Sequence, residues 1–536
     1  MLALVLNVAA MSSSSTPATA TATASLWSLK SDDQEVKPRP PPPPPPPPPL
    51  YMPIFHVPFN VGHGGCCADV NAIAEYKGVK HLFKQNGGVV DNRTKGLGFA
   101  HYISDDFVRW KYLSTVVTPG GADGSLSFLP EPTILWDCGS VAACKPAADG
   151  GGSAMELVVD EVTEGDLLRS RSRSEGCKSG DAAIIGVARP ADPSDPKLEH
   201  WLKDAHNPIV VENKGRPASC YAGPSNLWPS ADGTGTNLVM IFNSSTGLFR
   251  STDKTLHNWS VQNGDFYPIR GGGGGLFYKL PKAQPAAAAA SAGYTHMLQS
   301  DFPGQPDGTA FYALGTYNEQ AGSFDGATGP LAPCALDFSP TYVYNQLGYR
   351  ADGSMVNVGW IRNLGTSVVR AVSFDPALGG QLLAYPVPEL ATLRTSTLGA
   401  VTKPTALPTT LVASGAVAAD IELLFALDAS AGFGVTVTVL GGSAAVELSV
   451  AAGGANATIV LNGCHGTFPL PAGLKEMALR LLVDGSVVEA FAAGGRGVCS
   501  VGVNAAAGPA AVVVAAAAGS APVTLLNATA YNMSAI

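Results

Sequence analysis

Asp69 has the setting of a chemically active side chain. It lies within Phe55–Gln85 (FHVPFNVGHGGCCADVNAIAEYKGVKHLFKQ), where a Gly-rich loop runs into the strand-like segment Val79–Gln85. A carboxylate on such a loop, beside an alternating apolar strand, predicts a side chain presented at the mouth of a β-sheet site. The alternative is a turn aspartate that accepts hydrogen bonds from nearby backbone N–H groups, and the local sequence leaves both interpretations open.

The elements that would position Asp69 are short strands. From Leu50 onward, apolar or alternating segments recur at close spacing, with Gly, Pro, Asn and Asp between them. Examples are Val79–Phe83, Phe99–Ile103 and Met355–Ile361. The 61 glycines and 42 prolines fit many turns better than long helices. We therefore predict an all-β fold of the sandwich, barrel or propeller kind.

Two β domains are predicted after an N-terminal segment. A chain of 536 residues is too long for one ordinary core. Residues 1–50 are expected to be a disordered or targeting segment, in which Pro40–Pro49 forms a stiff polyproline II spacer. The alternative for this run is a ligand for a proline-binding module. Strand patterns fill residues 51–395 and resume, after a polar stretch, as a separate antiparallel sandwich within residues 396–536.

Charge and composition restrict the classes of partner. The net charge of −9, from 42 acidic and 33 basic residues, argues against a nucleic acid as the main partner, because a polyanion needs a basic surface. A neutral small carbohydrate is compatible with this charge. The sequence contains no uninterrupted apolar run of about 18 residues, so we predict no transmembrane helix and no membrane partner.

The nine cysteines predict no metal site. The sequence has no CxxC pair, so we expect neither a zinc site nor another metal, and we expect no cofactor. The odd count leaves at least one cysteine unpaired, and the connectivity of any disulfides cannot be deduced. The apolar segment Met1–Met11 lacks the basic residues of a secretory signal. Six N-x-S/T sequons nevertheless favour the secretory pathway, at Asn92, Asn243, Asn258, Asn456, Asn527 and Asn532.

About ten short motifs follow one another in the order found in a single enzyme family. The first is Ala68–Ala72, where that family has Asn-Asp-Pro-Asn-Gly. Others are His81–Gln85, the group of His101, Ser104, Asp106 and Trp110, and the segments Asp123–Ser125, Pro386–Leu390 and Val483–Phe491. On these residues the sequence, from position 55 to its end, resembles glycoside hydrolase family 32, the invertases and fructan hydrolases.

The resemblance implies a fold and a reaction. The fold would be a five-bladed β-propeller followed by a C-terminal β-sandwich, with a site at the propeller axis that binds a terminal fructosyl unit. Retaining glycosidases need two carboxyl groups about 5 Å apart, one as nucleophile and one as proton donor. Asp69 aligns with the nucleophile, and Asn71, Gln85 and Ser125 with substrate-binding positions.

Two expected carboxylates are missing. The family's Arg-Asp-Pro motif, which carries a carboxylate that supports the transition state, reads Ala222-Gly223-Pro224, and the acid/base position aligns with Gly272 inside Gly271–Gly275. General acid catalysis contributes about 10²–10⁴-fold to the rate. The carboxylates that could replace them are Glu131, Asp265, Glu319 and Asp337.

Three functions are therefore compatible with the sequence. The first is a β-fructofuranosidase-type hydrolase with an unrecognised proton donor. The second is a catalytically inactive relative that binds fructosides or other glycans. The third is a scaffold protein that uses the two β domains structurally. A carboxylate about 5 Å from Asp69 would favour the hydrolase, whereas a glycine-lined or apolar site would favour the other two.

Overall fold

The computed structural model describes the greater part of the chain from Pro53 onward. The described residues are 53–57, 70–85, 99–116, 133–136, 155–160, 183–203, 209–211, 221–224, 227–242, 245–253, 256–268, 275–280, 293–301, 310–326, 335–361, 364–503 and 511–536. The predicted N-terminal segment 1–50 lies outside them.

Five antiparallel sheets follow one another along residues 70–386, within the described ranges. Blade I consists of β1 (Val70–Tyr76), β2 (Val79–Gln85), β3 (Phe99–Ser104) and β4 (Lys111–Val116). Blade II consists of β5 (Thr133–Trp136), β6 (Met155–Asp160), β7 (Ala183–Pro190), β8 (Trp201–Lys203) and β9 (Ile209–Val211). Blade III consists of β10 (Tyr221–Pro224), β11 (Trp228–Pro229), β12 (Thr236–Phe242), β13 (Ser245–Ser251) and β14 (Ser260–Pro268).

The last two sheets complete the series. Blade IV consists of β15 (Gly275–Lys279), β16 (His296–Asp301), β17 (Ala310–Asn318), β18 (Ser323–Gly326) and β19 (Ala335–Asp337). Blade V consists of β20 (Tyr342–Tyr349), β21 (Met355–Ile361), β22 (Gly365–Thr366), β23 (Arg370–Phe374) and β24 (Leu382–Pro386). A 3-10 helix, Pro388–Leu393, leads out of blade V.

Neighbouring blades touch in a closed ring. β1 contacts β5, β6 contacts β10, β12 contacts β15, β16 contacts β20, and β20 returns to β1. The last contact is close enough to require glycine at position 348, because a Cβ there would lie 1.9 Å from the carbonyl oxygen of Ile73. A ring of small sheets of this kind leaves only short blade edges exposed, which is the physical advantage of a propeller.

The C-terminal part is a sandwich of two sheets. One sheet contains β25 (Arg394–Val401), β26 (Thr405–Ala406), β28 (Ala418–Ala426), β33 (Glu476–Asp484), β34 (Val487–Ala492), β35 (Gly497–Gly502) and β37 (Thr524–Met533). The other contains β27 (Thr409–Val412), β29 (Phe433–Val439), β30 (Ala444–Val450), β31 (Asn456–Leu461), β32 (Cys464–Pro469) and β36 (Val512–Ala516), and a short 3-10 helix, Leu440–Gly442, joins β29 to β30. The predicted fold class, an all-β propeller followed by a β-sandwich, is confirmed.

Alternation builds the sandwich core. Along β29, the side chains of Val435, Val437 and Val439 are buried between the sheets, while the threonines between them are partly exposed. A disulfide between Cys464 and Cys499 links β32 to β35, and therefore links the two sheets, with a Cα–Cα distance of 5.9 Å. The sequence allowed disulfides, and the structure identifies this pair.

The propeller and the sandwich share one apolar core. Leu482, Val487 and Phe491 of the sandwich belong to the same buried cluster as Leu347 and Val358 of blade V. Charged groups cross the same boundary in an interdomain ion network, formed by His56, Asp337, Arg370, Asp484, Glu489 and Ser500. The domain bounds 1–50, 51–395 and 396–536 stay a prediction.

Two further observations concern the described residues alone. No helix among them is both long and apolar enough to cross a membrane. Nor do they bring together three or more His, Cys, Asp or Glu side chains in an arrangement that could hold a metal ion.

Candidate active site

The candidate site lies where the first strands of several blades begin. β1, β10 and β15 are the first strands of blades I, III and IV, and β1 also contacts the first strands of blades II and V. First strands that touch around the ring line its axis. Because every blade repeats the same up-and-down order, we infer that the first strands run in one direction and that their starts face one mouth of the axis.

The family resemblance assigns its three carboxylate positions to this mouth. Asp69 immediately precedes β1, Gly223 lies within β10, and Gly272 precedes the start of β15 at Gly275. The three positions are far apart in the sequence, and the order of the blades explains why residues with this spacing can serve one site.

Asn71 occupies a β-bulge beside the Asp69 position. Val70 pairs with Lys84 and Ala72 pairs with Phe83, so Asn71 is the additional residue in β1. Its side chain is 1% exposed. A bulge increases the local twist and changes the direction of the side chains around it, and bulges are frequent next to active sites.

Gly223 occupies a comparable irregularity in blade III. Ala222 pairs with Ile241 and Pro224 pairs with Met240, so the register shifts at Gly223. A register shift therefore occurs at one of the three assigned positions, Gly223, and two residues away from another, Asp69. At Gly223 the chain can offer a ligand only its backbone N–H and C=O groups, because glycine has no side chain.

Comparison with known proteins finds similarity to β-fructofuranosidases and a fructan exohydrolase. No protein-family model matches it. The "Beta-fructofuranosidase, insoluble isoenzyme 2" of Oryza sativa subsp. indica is 27% identical over 364 residues, which cover 61% of this chain and 54% of that protein. Fructan 1-exohydrolase IIa from Cichorium intybus superposes with a TM-score of 0.69 at 19% identity, covering 90% of this chain and 98% of the other. The GH32 β-fructofuranosidase of Bombyx mori superposes with a TM-score of 0.62 at 16% identity, covering 90% and 94%.

The chain is a divergent relative of glycoside hydrolase family 32. It spans about half the length of the curated relatives that it matches. The structural likeness, at identities below 20%, shows the shared fold.

Several predicted site residues of this family 32 relative lie outside the described residues or are described only in part. Asp69, Ser125 and Gly272 are outside them. Gln85 is the last residue of β2, where its backbone pairs with Phe99 of β3, and its side chain is not described. The site assignments therefore stay predictions.

Asp337 is not the missing acid. It lies on β19, which contacts the sandwich strand β35, and its carboxylate accepts a hydrogen bond from Arg370 Nη1 at 2.9 Å. It also accepts hydrogen bonds from the backbone N–H groups of Ser339 and Ser500 at 2.9 and 3.2 Å. Burial raises the pKa of Asp337, although Arg370 opposes this rise. The carboxylate is thus held in the interdomain ion network, away from the axis.

The other replacement carboxylates are also poorly placed. Glu319 follows the end of β17 and accepts hydrogen bonds from Ala231 N at 2.7 Å and Asn237 Nδ2 at 3.2 Å. The Ala231 turn lies at the end of blade III opposite the start of β10, so Glu319 is remote from the mouth. Asp265 lies on β14, the strand of blade III farthest from β10 in the pairing order. Glu131 lies outside the described residues.

A buried amide network, which sequence reasoning missed, holds β15 against β20. Tyr278 Oη donates a hydrogen bond to Gln346 Oε1 at 3.0 Å, and Gln299 Nε2 donates one to the backbone oxygen of Asn345 at 2.9 Å. Asn357 Nδ2 donates to Asn345 Oδ1 at 2.8 Å. Buried polar networks of this kind specify one arrangement of the backbone. The signal in the sequence was the presence of Asn and Gln inside otherwise apolar strands.

The family motif His81–Gln85 has an unusual electrostatic environment. His81 Nδ1 lies 2.9 Å from His101 Nε2, and both rings are fully buried. Burial lowers the pKa of His81 to about 4 and the pKa of His101 well below its ordinary value, so both rings are neutral at physiological pH. Phe83 stacks on His101 at 4.4 Å between ring centroids. This part of the motif therefore holds blade I together and carries no charge.

Lys84 is the exceptional residue in that motif. Its side chain is 2% exposed, and its Nζ has no hydrogen-bond partner among the residues that the structure describes. The ring of Tyr102 is centred 5.8 Å from Nζ. Burial lowers the pKa of Lys84 to about 7. Since Lys84 pairs with Val70, an amine that titrates near neutral pH lies one residue along β1 from the Asp69 position.

Proposed function

We propose that this protein is a β-fructofuranosidase-type glycoside hydrolase that acts on terminal fructosyl units of sucrose or fructans by a retaining mechanism. The observation that carries the proposal is the closed ring of five blades, whose repeated strand order would bring the starts of β1, β10 and β15 to one mouth of the propeller axis. The β-bulges at Asn71 and Gly223 support it further. The related fructan 1-exohydrolase has been solved in complex with 1-kestose, which supports a small fructoside as ligand.

In the proposed reaction, Asp69 is the nucleophile. Its carboxylate attacks the anomeric carbon of the fructosyl unit, the bond to the leaving oxygen breaks, and water then hydrolyses the covalent fructosyl-enzyme. Asn71, Gln85 and Ser125 are assigned to the sugar hydroxyls. The same proposal gives residues 51–395 to the catalytic propeller and residues 396–536 to the sandwich.

The glycines at the other two positions lower the expected rate. Gly272 supplies no acid, so the leaving oxygen takes its proton from water, and the loss of general acid catalysis costs about 10²–10⁴-fold. Gly223 supplies no charge to the developing oxocarbenium ion. We expect slow turnover in the natural chain and faster turnover when the acid is restored.

A second candidate function is fructoside binding without turnover. The observation that favours it is the combination of glycine at both position 223 and position 272. Such a site keeps the concave propeller mouth and loses two of the three groups that catalyse bond cleavage.

The test is hydrolysis of sucrose and 1-kestose by the full chain, with Asp69→Asn as the control. Turnover that Asp69→Asn abolishes supports the hydrolase. The variant Gly272→Glu should then raise kcat by about 10²–10⁴-fold, whereas Gly271→Glu, one residue away, is the matched control and should not. Sugar binding by calorimetry without turnover in any variant supports the second function. If the chain neither binds the sugars nor hydrolyses them, both candidate functions are overturned.

A further inference from the structure

The Cys464–Cys499 disulfide indicates where this protein folds. The side chains of both cysteines are fully buried in the sandwich core, and the sequence separation between them is 35. Structural disulfides form in oxidising compartments such as the endoplasmic reticulum and are rare in the cytosol. A chain that closes this bond therefore passes through a compartment that also modifies N-x-S/T sequons.

The structure describes four of the six sequons and separates them into two groups. Asn258 is exposed in the turn before β14, where its Nδ2 makes one surface hydrogen bond, to Asp253 Oδ2 at 3.0 Å. Asn456 is exposed at the first position of β31. A glycan on either side chain would extend into solvent without displacing a buried group.

Asn527 is also exposed, although it lies within β37. On one side its backbone pairs with Leu424 of β28. On the other side, pairing with β25 ends at Ala528 and pairing with β26 begins at Leu525, so Asn527 lies at the gap between two short partners. The gap provides room for a substituent on the outer face of the sheet.

Asn532 is in a different environment on the same strand. It is partly buried and has a paired residue on both sides, Ser396 of β25 and Ala419 of β28. Its Nδ2 donates a hydrogen bond to Thr395 Oγ1 at 3.1 Å. That bond lies at the surface, as does the bond of Asn258, so the difference is that Asn532 is partly buried in a strand paired along both edges, where a glycan has less room.

We propose that Asn258, Asn456 and Asn527 carry N-linked glycans and that Asn532 does not. In the reaction, Asn Nδ2 forms a bond to the anomeric carbon of a lipid-linked oligosaccharide diphosphate, the bond from that carbon to the phosphate oxygen breaks, and the Nδ2 proton leaves with the lipid diphosphate. This assignment is independent of the proposed hydrolase function. It fits a chain that has only 14% charged residues and whose surface gains solubility from attached sugars.

The test is peptide mapping of the full chain after secretion from a eukaryotic host. Treatment with an amidase that releases N-glycans and converts the glycosylated Asn to Asp should mark Asn258, Asn456 and Asn527 and leave Asn532 unchanged. The Cys464 and Cys499 peptides should be linked until a reductant is added. Unmodified Asn258, Asn456 and Asn527 in the folded, secreted protein, a glycan on Asn532, or free Cys464 and Cys499 thiols would overturn the inference.

A matched pair of variants isolates the sequon at Asn456. Thr458 Oγ1 and Thr467 Oγ1 lie 3.3 Å apart on the exposed face of β31 and β32, so Thr458→Ala and Thr467→Ala remove the same contact. Only Thr458→Ala destroys the sequon. We expect loss of one glycan in Thr458→Ala and full glycosylation in Thr467→Ala. Equal glycan content in the two variants would contradict a glycan at Asn456.

Discussion

His56 Nε2 lies 2.7 Å from Glu489 Oε1, and the two residues are separated by 433 positions in the sequence. The other ring nitrogen, Nδ1, lies 2.7 Å from Asp484 Oδ2. Asp484 also accepts hydrogen bonds from the backbone N–H groups of Ile54, Phe55 and His56. One imidazole from the start of the described chain therefore holds two carboxylates on β33 and β34 of the sandwich.

The same Glu489 connects the sandwich to blade V. Its Oε2 accepts a hydrogen bond from Arg370 Nη2 at 2.5 Å, and its Oε1 accepts one from Val368 N at 2.8 Å. His56, Arg370 and Glu489 are all fully buried. Removing one side chain from a buried network of charges lowers the free energy of unfolding, because the remaining charges keep their desolvation penalty. The relative position of the two domains should therefore depend on each member.

The first prediction concerns His56→Ala. Burial alone would lower the pKa of His56, but its hydrogen bonds to Asp484 and Glu489 and their charges raise it to about 9. The folded-state pKa is above the ordinary value of 6.5, so the stabilisation is complete below pH 6.5 and is lost as the pH rises through about 9. We expect His56→Ala to lower the free energy of unfolding by about 3–5 kcal/mol at pH 6 and by less at pH 10.

Denaturant unfolding at the two pH values measures this difference. The control is His465→Ala, because His465 is exposed on β32 of the same sandwich. Equal losses for His56→Ala at pH 6 and pH 10 would show that the charge of His56 does not contribute.

The second prediction is that Lys84→Met stabilises the protein. Burial lowers the pKa of Lys84 to about 7, from an ordinary value of 10.5, so the unfolded chain binds one more proton than the folded chain between these values. The stability of the natural protein therefore rises with pH from about 7 to about 10.5. At pH 7 the uncharged Met side chain avoids the cost of burying the amine, which is on the order of 4 kcal/mol.

Thermal unfolding of Lys84→Met between pH 6 and pH 10 tests this prediction. The variant should have a higher Tm at pH 7 and a smaller rise in stability above that pH. Lys111→Met, at an exposed position on β4, is the control. A lower Tm for Lys84→Met at pH 7 would mean that the amine has a favourable partner.

The third prediction concerns closure of the propeller ring. In Gly348→Ala the new Cβ would lie 1.9 Å from the backbone oxygen of Ile73, so β20 must move away from β1 at the axis. We expect a loss of about 3 kcal/mol, at the upper end of the cost of overpacking.

Gly78→Ala is the informative comparison for Gly348→Ala. A Cβ at Gly78 meets nothing within 4 Å, and the cost comes only from its φ of +85°. That conformational cost is about 1–2 kcal/mol. Urea unfolding should rank Gly348→Ala as the more destabilised variant, and the reverse order would contradict the close contact between β1 and β20.

The fourth prediction is that the Cys464–Cys499 bond stabilises the sandwich. The bond closes a loop with a sequence separation of 35 residues, and the chain-entropy relation gives about 3–4 kcal/mol for this length. The double variant Cys464→Ala/Cys499→Ala should lose about this much in denaturant unfolding. A reductant should destabilise the natural protein and leave the double variant unchanged, and an effect of the reductant on both would locate a stabilising disulfide elsewhere.

The sequence by itself determined the all-β class, because turn residues recur between short alternating segments, and this is a local property. It also determined which side chains are absent, since Gly223 and Gly272 stand where carboxylates were expected. The order of the motifs, through the family resemblance, predicts that Asp69 lies in an axial site of a propeller, and this stays a prediction. None of these conclusions required a contact between distant residues.

The tertiary structure decided which polar residues are used within the fold. Asp337 is a possible replacement acid by sequence alone, yet it is buried against Arg370 and Ser500 between the domains. Lys84 looked like an ordinary strand residue, yet both faces of β2 are covered, so its amine is buried. The link from His56 to Glu489 could not be predicted, because pairing across 433 residues depends on how the sandwich docks on the propeller and not on any local pattern.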